Sequence, residues 1–163
     1  MRPEHVDQMK ARARNIALKV AYDGTNYHGF QRQTPPVLAV QNVLERALAK
    51  VCGEQVELAA AGRTDAGVHA YGQVVNFFTD GRIPTERLTR AVNGLLPPDI
   101  VVTTAWEAAR DFSARHSATG KTYVYRIEEC TVPNPFTRSY AWQIFQPLDH
   151  DAMRGALAML VGT

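Results

Sequence analysis

With 163 residues and a formal net charge of only +2, the chain is long enough for one sizeable core, or for one compact domain and part of another, and its overall charge argues only weakly for a polyanionic partner. No apolar run is long enough to cross a membrane, and the opening stretch MRPEHVDQMKARARN lacks the apolar centre of a secretory signal, so a cytoplasmic protein with a flexible leader over residues 1–14 is expected. Cys52 and Cys130 have neither metal-ligand spacing nor the density of a disulfide scaffold, and read as two buried thiols without chemistry.

Residues 15–22, NIALKVAY, alternate and are rich enough in β-branched residues to predict a strand, and the DGTNYHG that follows has the glycine and asparagine of a turn or loop. From Val40 the apolar residues fall at Val40, Val43, Leu44, Ala47, Leu48 and Val51, the spacing of one helical face, and Gly53 supplies a stop. QVELAAA (55–61) and QVVNFFT (73–79) read as neighbouring antiparallel strands joined by a loop. Thr85 is a candidate N-cap for a second helix with Leu88, Ala91, Val92 and Leu95 on one face, closed by PPD, and IVVTTAW is a further strand. The order β-α-β-β-α-β is the split βαβ, or ferredoxin-like, arrangement. It predicts an α+β fold over residues 15–109, with helices on one face of an antiparallel sheet and the other face left open for a ligand.

After residue 109 the pattern restarts. KTYVYRIEE and SYAWQIF read as strands around the loop CTVPNPFTR, and Asp149 caps a helix with Met153, Ala156, Leu157 and Leu160 on one face. Two strands and one helix do not easily bury an apolar face, so residues 110–163 are expected to be the start of a second, similar, incomplete half. Residues 110–126 hold Arg110, Arg115, Lys121 and Arg126 against Asp111 alone, a local +3. With Tyr123 and Tyr125 at strand spacing, that stretch suits a phosphate backbone and stacked bases; the plainer reading is a solvated strand edge.

The loop AAGRTDAGVHAYGQ is the chemically densest segment. Asp65 is its only carboxylate, flanked by Gly62 and Gly67, which let the backbone approach a ligand closely, and Arg63 is near enough in sequence to hold that carboxylate ionised and oriented. This makes Asp65 a candidate nucleophile or base; the competing reading is a turn aspartate capping its own backbone. His69 is either a third member or a local hydrogen-bonding residue. There is no glycine-rich phosphate loop ending in Lys-Ser or Lys-Thr, no zinc-spaced Cys/His cluster and no serine in a nucleophile elbow, so a site without metal or cofactor is expected.

Three stretches, YDGTNYHGFQRQ (22–33), AAGRTDAGVHAYGQVVNF (60–77) and DFSARHSATGKTYVYRI (111–127), together resemble the tRNA pseudouridine synthase A family, in the same order and at family-like separations. The resemblance covers residues 15–163 and about the first three fifths of a family member, so the isolated 163-residue chain is expected to be inactive or weakly active. It implies that Asp65 is the catalytic carboxylate, that Arg63 pairs with it and helps fill the space left by a flipped nucleotide, and that Tyr123 stacks on the uracil. It further implies an anticodon stem-loop of tRNA as substrate, a homodimer, and no metal or cofactor. Arg32, Arg115 and Lys121 are then the best phosphate contacts, with His69 a further RNA contact and Arg126 a weaker candidate. A non-catalytic RNA-binding ferredoxin-like module is the alternative; an acidic group facing RNA argues against it.

Overall fold

The computed structural model describes residues 11–162, which form two compact units, one ending at Lys121 and the other beginning at Thr122. In the first unit, β1 (Arg14–Tyr22), α1 (Val40–Cys52), β2 (Ala59–Ala60), β3 (Ala70–Thr79), α2 (Thr85–Asn93) and β4 (Ile100–Ala108) follow one another as expected. The sheet order is β2-β3-β1-β4 with every neighbouring pair antiparallel. This is the split βαβ topology.

The period-2 alternation of β1 sends Ile16, Leu18, Val20 and Tyr22 to one side, where they meet Val40, Leu44, Ala47 and Leu48 of α1, Leu88 and Val92 of α2, and Val75 and Phe77 of β3 in a single core. Both helices therefore cover the same face. Gly53 ends α1 in the left-handed region at φ 71, with its N–H on the Ala49 carbonyl. Leu96 packs against the core in place of the expected Leu95, which is half exposed because the helix has already ended at Asn93.

Four expectations are corrected. The strand QVELAAA shrinks to Ala59–Ala60, because the Leu58 N–H and carbonyl are taken by the Glu45 and Gln41 side chains of α1 rather than by a ladder. Thr85 is the first helical residue and not the cap: Pro84, extended at φ −60 and ψ 146, precedes it and accepts the Leu88 N–H. The leader lies mostly outside the described residues, yet Arg12 reaches the Gln55 and Phe78 carbonyls, Ala13 N–H donates to Asp80, and Arg14 already belongs to β1. Both cysteines are free and half-buried.

The sheet face away from the helices is only partly open. Asn15 and Asn76, both buried there, form a polar pair: Asn15 Nδ2 donates to the Ala109 and Phe112 carbonyls, and Asn76 Oδ1 accepts the Ala114 N–H at 2.8 Å. Arg110 lies over the Phe78 ring at 5.7 Å. The segment that restarts the pattern after 109 is thus fastened to the first sheet by satisfied buried amides. The first unit accordingly runs on to Lys121, beyond the expected boundary at 109/110.

In the second unit β5 (Ile127–Glu129) and β6 (Trp142–Ile144) pair in parallel, and Glu128 gathers Thr137, Asn134 and Gln143 around the intervening loop. Residues 121–126 take up no strand, so the strand spacing expected for Tyr123 and Tyr125 is not realised. Asp149 caps α3 (His150–Ala158) as expected, accepting the Ala152 N–H, and that helix buries none of its residues. Among the described residues no helix is long and apolar enough to cross a membrane.

Candidate active site

The end of the sheet where β1 finishes and β3 begins carries two loops, 23–30 and 61–69, and glycines set how closely they meet. A Cβ on Gly24 would lie 2.0 Å from the Val68 carbonyl oxygen, and one on Gly29 would lie 2.6 Å from that of Thr64. Gly29 also stands at φ +85, a conformation that L side chains rarely adopt. Hydrogen bonds then fasten the loops: Phe30 N–H to Thr64 O, Gly67 N–H to Tyr27 O, and the Tyr22 hydroxyl to Thr64 Oγ1 at 2.7 Å. Burial raises the Tyr22 pKa, the bond to Thr64 acting weakly the other way, so that the phenol stays neutral.

Loop 23–30 is itself anchored twice. Tyr27, buried, donates its hydroxyl to Asp99 at 2.7 Å, and the Gly29 and Phe30 carbonyls accept the Val40 and Gln41 N–H groups that open α1. That satisfies a helix start which has no side-chain cap. Thr64 is thereby gripped through both backbone and side chain, and the next residue is Asp65. Its carbonyl closes a turn with Val68 N–H at 3.2 Å, while its side chain is exposed. The competing turn-capping reading is not what the structure shows: the turn is closed by the backbone, and the carboxylate is directed outward.

No ion pair joins Arg63 to Asp65, against expectation; two positions apart on a segment that is neither helix nor strand, both side chains extend into solvent. Lys121 does come to the loop: a Cβ on Gly62 would meet its Cε and Nζ at 3.4 Å. Arg115 is exposed on the turn closed by Ser113 and Ser117, on the segment held by Asn76. Tyr123 belongs to the second unit and is 63% exposed.

Arg32 is placed differently from what was expected, and His69 takes the local hydrogen-bonding role that was one of its two readings. Arg32 lies 2.8 Å from Glu45 and 3.6 Å from Glu57; burial opposes its charge, but these carboxylates outweigh burial and raise its pKa. Its charge is already answered within the protein. His69 Nδ1 lies 3.2 Å from the Gly24 N–H and 3.0 Å from Asp23 Oδ1, so it fastens one loop to the other. Arg32→Ala should therefore leave the salt dependence of RNA binding unchanged and lower stability by about 0.5–1 kcal/mol, read from paired salt titrations and urea melts. A slope reduced by one would restore Arg32 as a phosphate contact.

Sequence reasoning missed Lys19, an exposed cation in the middle of a mostly buried strand, whose stem crosses Gly72. The available signal was a charge at a position that the alternation of β1 turns away from the helices. It also missed Tyr22 and Tyr27 as supports of the two loops, since a buried tyrosine in a strand or turn looks like ordinary core.

Fold and site together define a class: a ferredoxin-like α+β unit presenting one carboxylate on a glycine-clasped loop at the end of its sheet. The model of the family described as tRNA pseudouridine synthase matches residues 18–117, and the chain belongs to that family. It is 48% identical over 150 residues to tRNA pseudouridine synthase A of Thermoanaerobacter pseudethanolicus, covering 92% of this chain and 61% of that protein. The protein of the same name from Acetivibrio thermocellus is 43% identical over the same shares, and that of Myxococcus xanthus 44% identical over 90% of this chain and 55% of its own length. The chain thus spans 55–61% of the length of these relatives.

Proposed function

We propose that the protein isomerises uridine to pseudouridine in tRNA, with Asp65 as the catalytic carboxylate. The observation that carries this reading is the presentation of Asp65: the backbone on its N-terminal side is gripped at Thr64 by Phe30 and Tyr22, yet its carboxylate is turned outward. A rigid backbone with an exposed acid suits chemistry on a base taken out of its stack.

In the reaction the bond from N1 of the base to C1′ breaks and one from C5 to C1′ forms; C5 loses a proton and N1 carries one in the product. Atoms and electrons balance within the substrate, so no co-reactant is required. The carboxylate can serve by attacking C1′, by adding to the base, or by taking a ribose proton to give a glycal. Arg63 and Lys121, on either side of Gly62, would hold the backbone of the flipped nucleotide, with Arg115 a further phosphate contact. Tyr123 would stack on the uracil. Shape and phosphate contacts suit an anticodon stem-loop better than base readout does, and the complete enzyme would act as a homodimer in the cytoplasm.

The direct test, made on the chain extended to the full length of its relatives, is release of tritium from C5 of labelled uridine in an unmodified tRNA transcript. Release together with pseudouridine in the nucleoside digest supports the reading; tRNA binding without release leaves only an RNA-binding module. In the same assay Tyr123→Phe should keep most activity, whereas Tyr123→Ala loses about 1–3 kcal/mol of stacking. Equal losses would assign the role to the hydroxyl.

A further inference from the structure

Three cations of the first unit are answered by carboxylates: Arg12 by Glu54, Arg14 by Glu107, Arg32 by Glu45 and Glu57. Lys19 differs. It is exposed on the sheet face away from the helices, opposite Val74 on β3 and Thr104 on β4, and makes no ion pair among the described residues. An ammonium group in the middle of a strand, with no carboxylate beside it, has no evident structural duty.

Two further observations concern how it is aimed. The ladder shifts register against β4 between Lys19 and Val20, where Thr103 is an extra residue on β4, and against β3 between Val20 and Tyr22, where the extra residue is again on the partner strand, so both neighbours of β1 become irregular just past Lys19. Such irregularities are concentrated beside active sites. Gly72, moreover, provides the bed on which the Lys19 stem lies: a Cβ there would come within 2.6 Å of Lys19 Cε and 3.5 Å of Nζ. Gly72 is not among the glycines at positive φ, so room for Lys19, and not backbone conformation, is what residue 72 supplies. Gly72 precedes Gln73, whose side chain donates to the Gly62 carbonyl at 2.6 Å, and Gly62 in turn lies against Lys121. Lys19 and Lys121 are therefore each seated against a glycine on adjacent antiparallel segments that lead into the Asp65 loop.

We propose that Lys19 binds a phosphate of the RNA strand beside Asp65, and that Gly72 is the seat that lets its stem lie across the start of β3 toward it. The proposal rests on the pseudouridine synthase reading above and adds a contact to it. A lysine suits this task as a point charge on an apolar stem packed along the sheet.

The test is binding of the protein to an unmodified tRNA transcript across a salt series. Lys19→Ala should lower the slope of log affinity against log salt by about one and weaken binding at least about threefold. Gly72→Ala, with Lys19 intact but pushed from its seat, should weaken binding in the wild-type background and do nothing further in Lys19→Ala. Lys50→Ala, on α1, is the control and should leave the slope alone. An unchanged slope in Lys19→Ala while the wild type binds with clear salt dependence overturns this proposal and leaves the functional reading standing. A wild type with no salt-dependent tRNA binding overturns both.

Discussion

In the complete enzyme, Asp65→Asn abolishes pseudouridine formation, by at least about 10³-fold, while affinity for tRNA stays within about threefold of wild type. The substitution preserves size and shape, and the Asp65 side chain makes no ion pair or side-chain hydrogen bond among the described residues, so the loop loses no fastening. The bonds that set the loop run through Thr64, Gly67 and the Asp65 carbonyl, none of which the change touches. What is lost is the anionic oxygen that can attack carbon or take a proton. Removing one negative charge from a phosphate-binding surface should tighten non-specific binding slightly if it does anything. Tritium release measures the first outcome, filter binding the second, and a thermal melt coincident with wild type shows that the fold is intact. Substantial turnover by the variant would remove Asp65 from the catalytic role.

Gly29→Ala should both destabilise the first unit and cut activity by about 10²-fold. Its φ of +85 costs about 1–2 kcal/mol for any residue with a Cβ, and that Cβ would lie 2.6 Å from the Thr64 carbonyl, a backbone atom that cannot step aside without moving Asp65. Gly24→Ala should behave alike, since its Cβ would stand 2.0 Å from the Val68 carbonyl. Together with overpacking of about 1–3 kcal/mol, a fall in Tm of several degrees is expected. Gly53→Ala supplies the comparison: it carries similar strain at φ 71, with nothing within 4 Å of the new Cβ and no tie to the Asp65 loop. It should lower Tm and leave turnover unchanged. If Gly29→Ala loses no more activity than Gly53→Ala, the two loops do not position the carboxylate.

The course of the first unit was legible because it depends on local spacing. The apolar stripe of α1, the alternation of β1 and the stop at Gly53 are statements about neighbours three or four, two, and one position apart, and these carry over directly into buried faces. The loop holding Asp65 stood out by composition, but spacing alone left a turn aspartate in competition with a catalytic one, and the resemblance of its motif to the synthase family singled it out. Where the local reading failed, a distant group had intervened. The strand expected over 55–61 is cut to two residues by Gln41 and Glu45 of α1, and Arg32 is turned from a substrate contact into a partner of Glu45 and Glu57.

The sequence by itself determined the order of elements and the split βαβ topology of the first unit, since hydrophobic period and turn chemistry act over a few residues. Only the tertiary structure decided which polar groups remain available. Asn15 and Asn76 hold residues 109–114 against the sheet, Tyr22 and Phe30 grip Thr64, and Gly24 and Gly29 bring the two loops into contact. Lys19 and Lys121, separated by about a hundred positions, are seated on adjacent segments of one hairpin. Whether a charge is answered within the protein or left for a ligand depends on distances of 3–4 Å between residues far apart in the chain, and those distances are set by closure of the sheet.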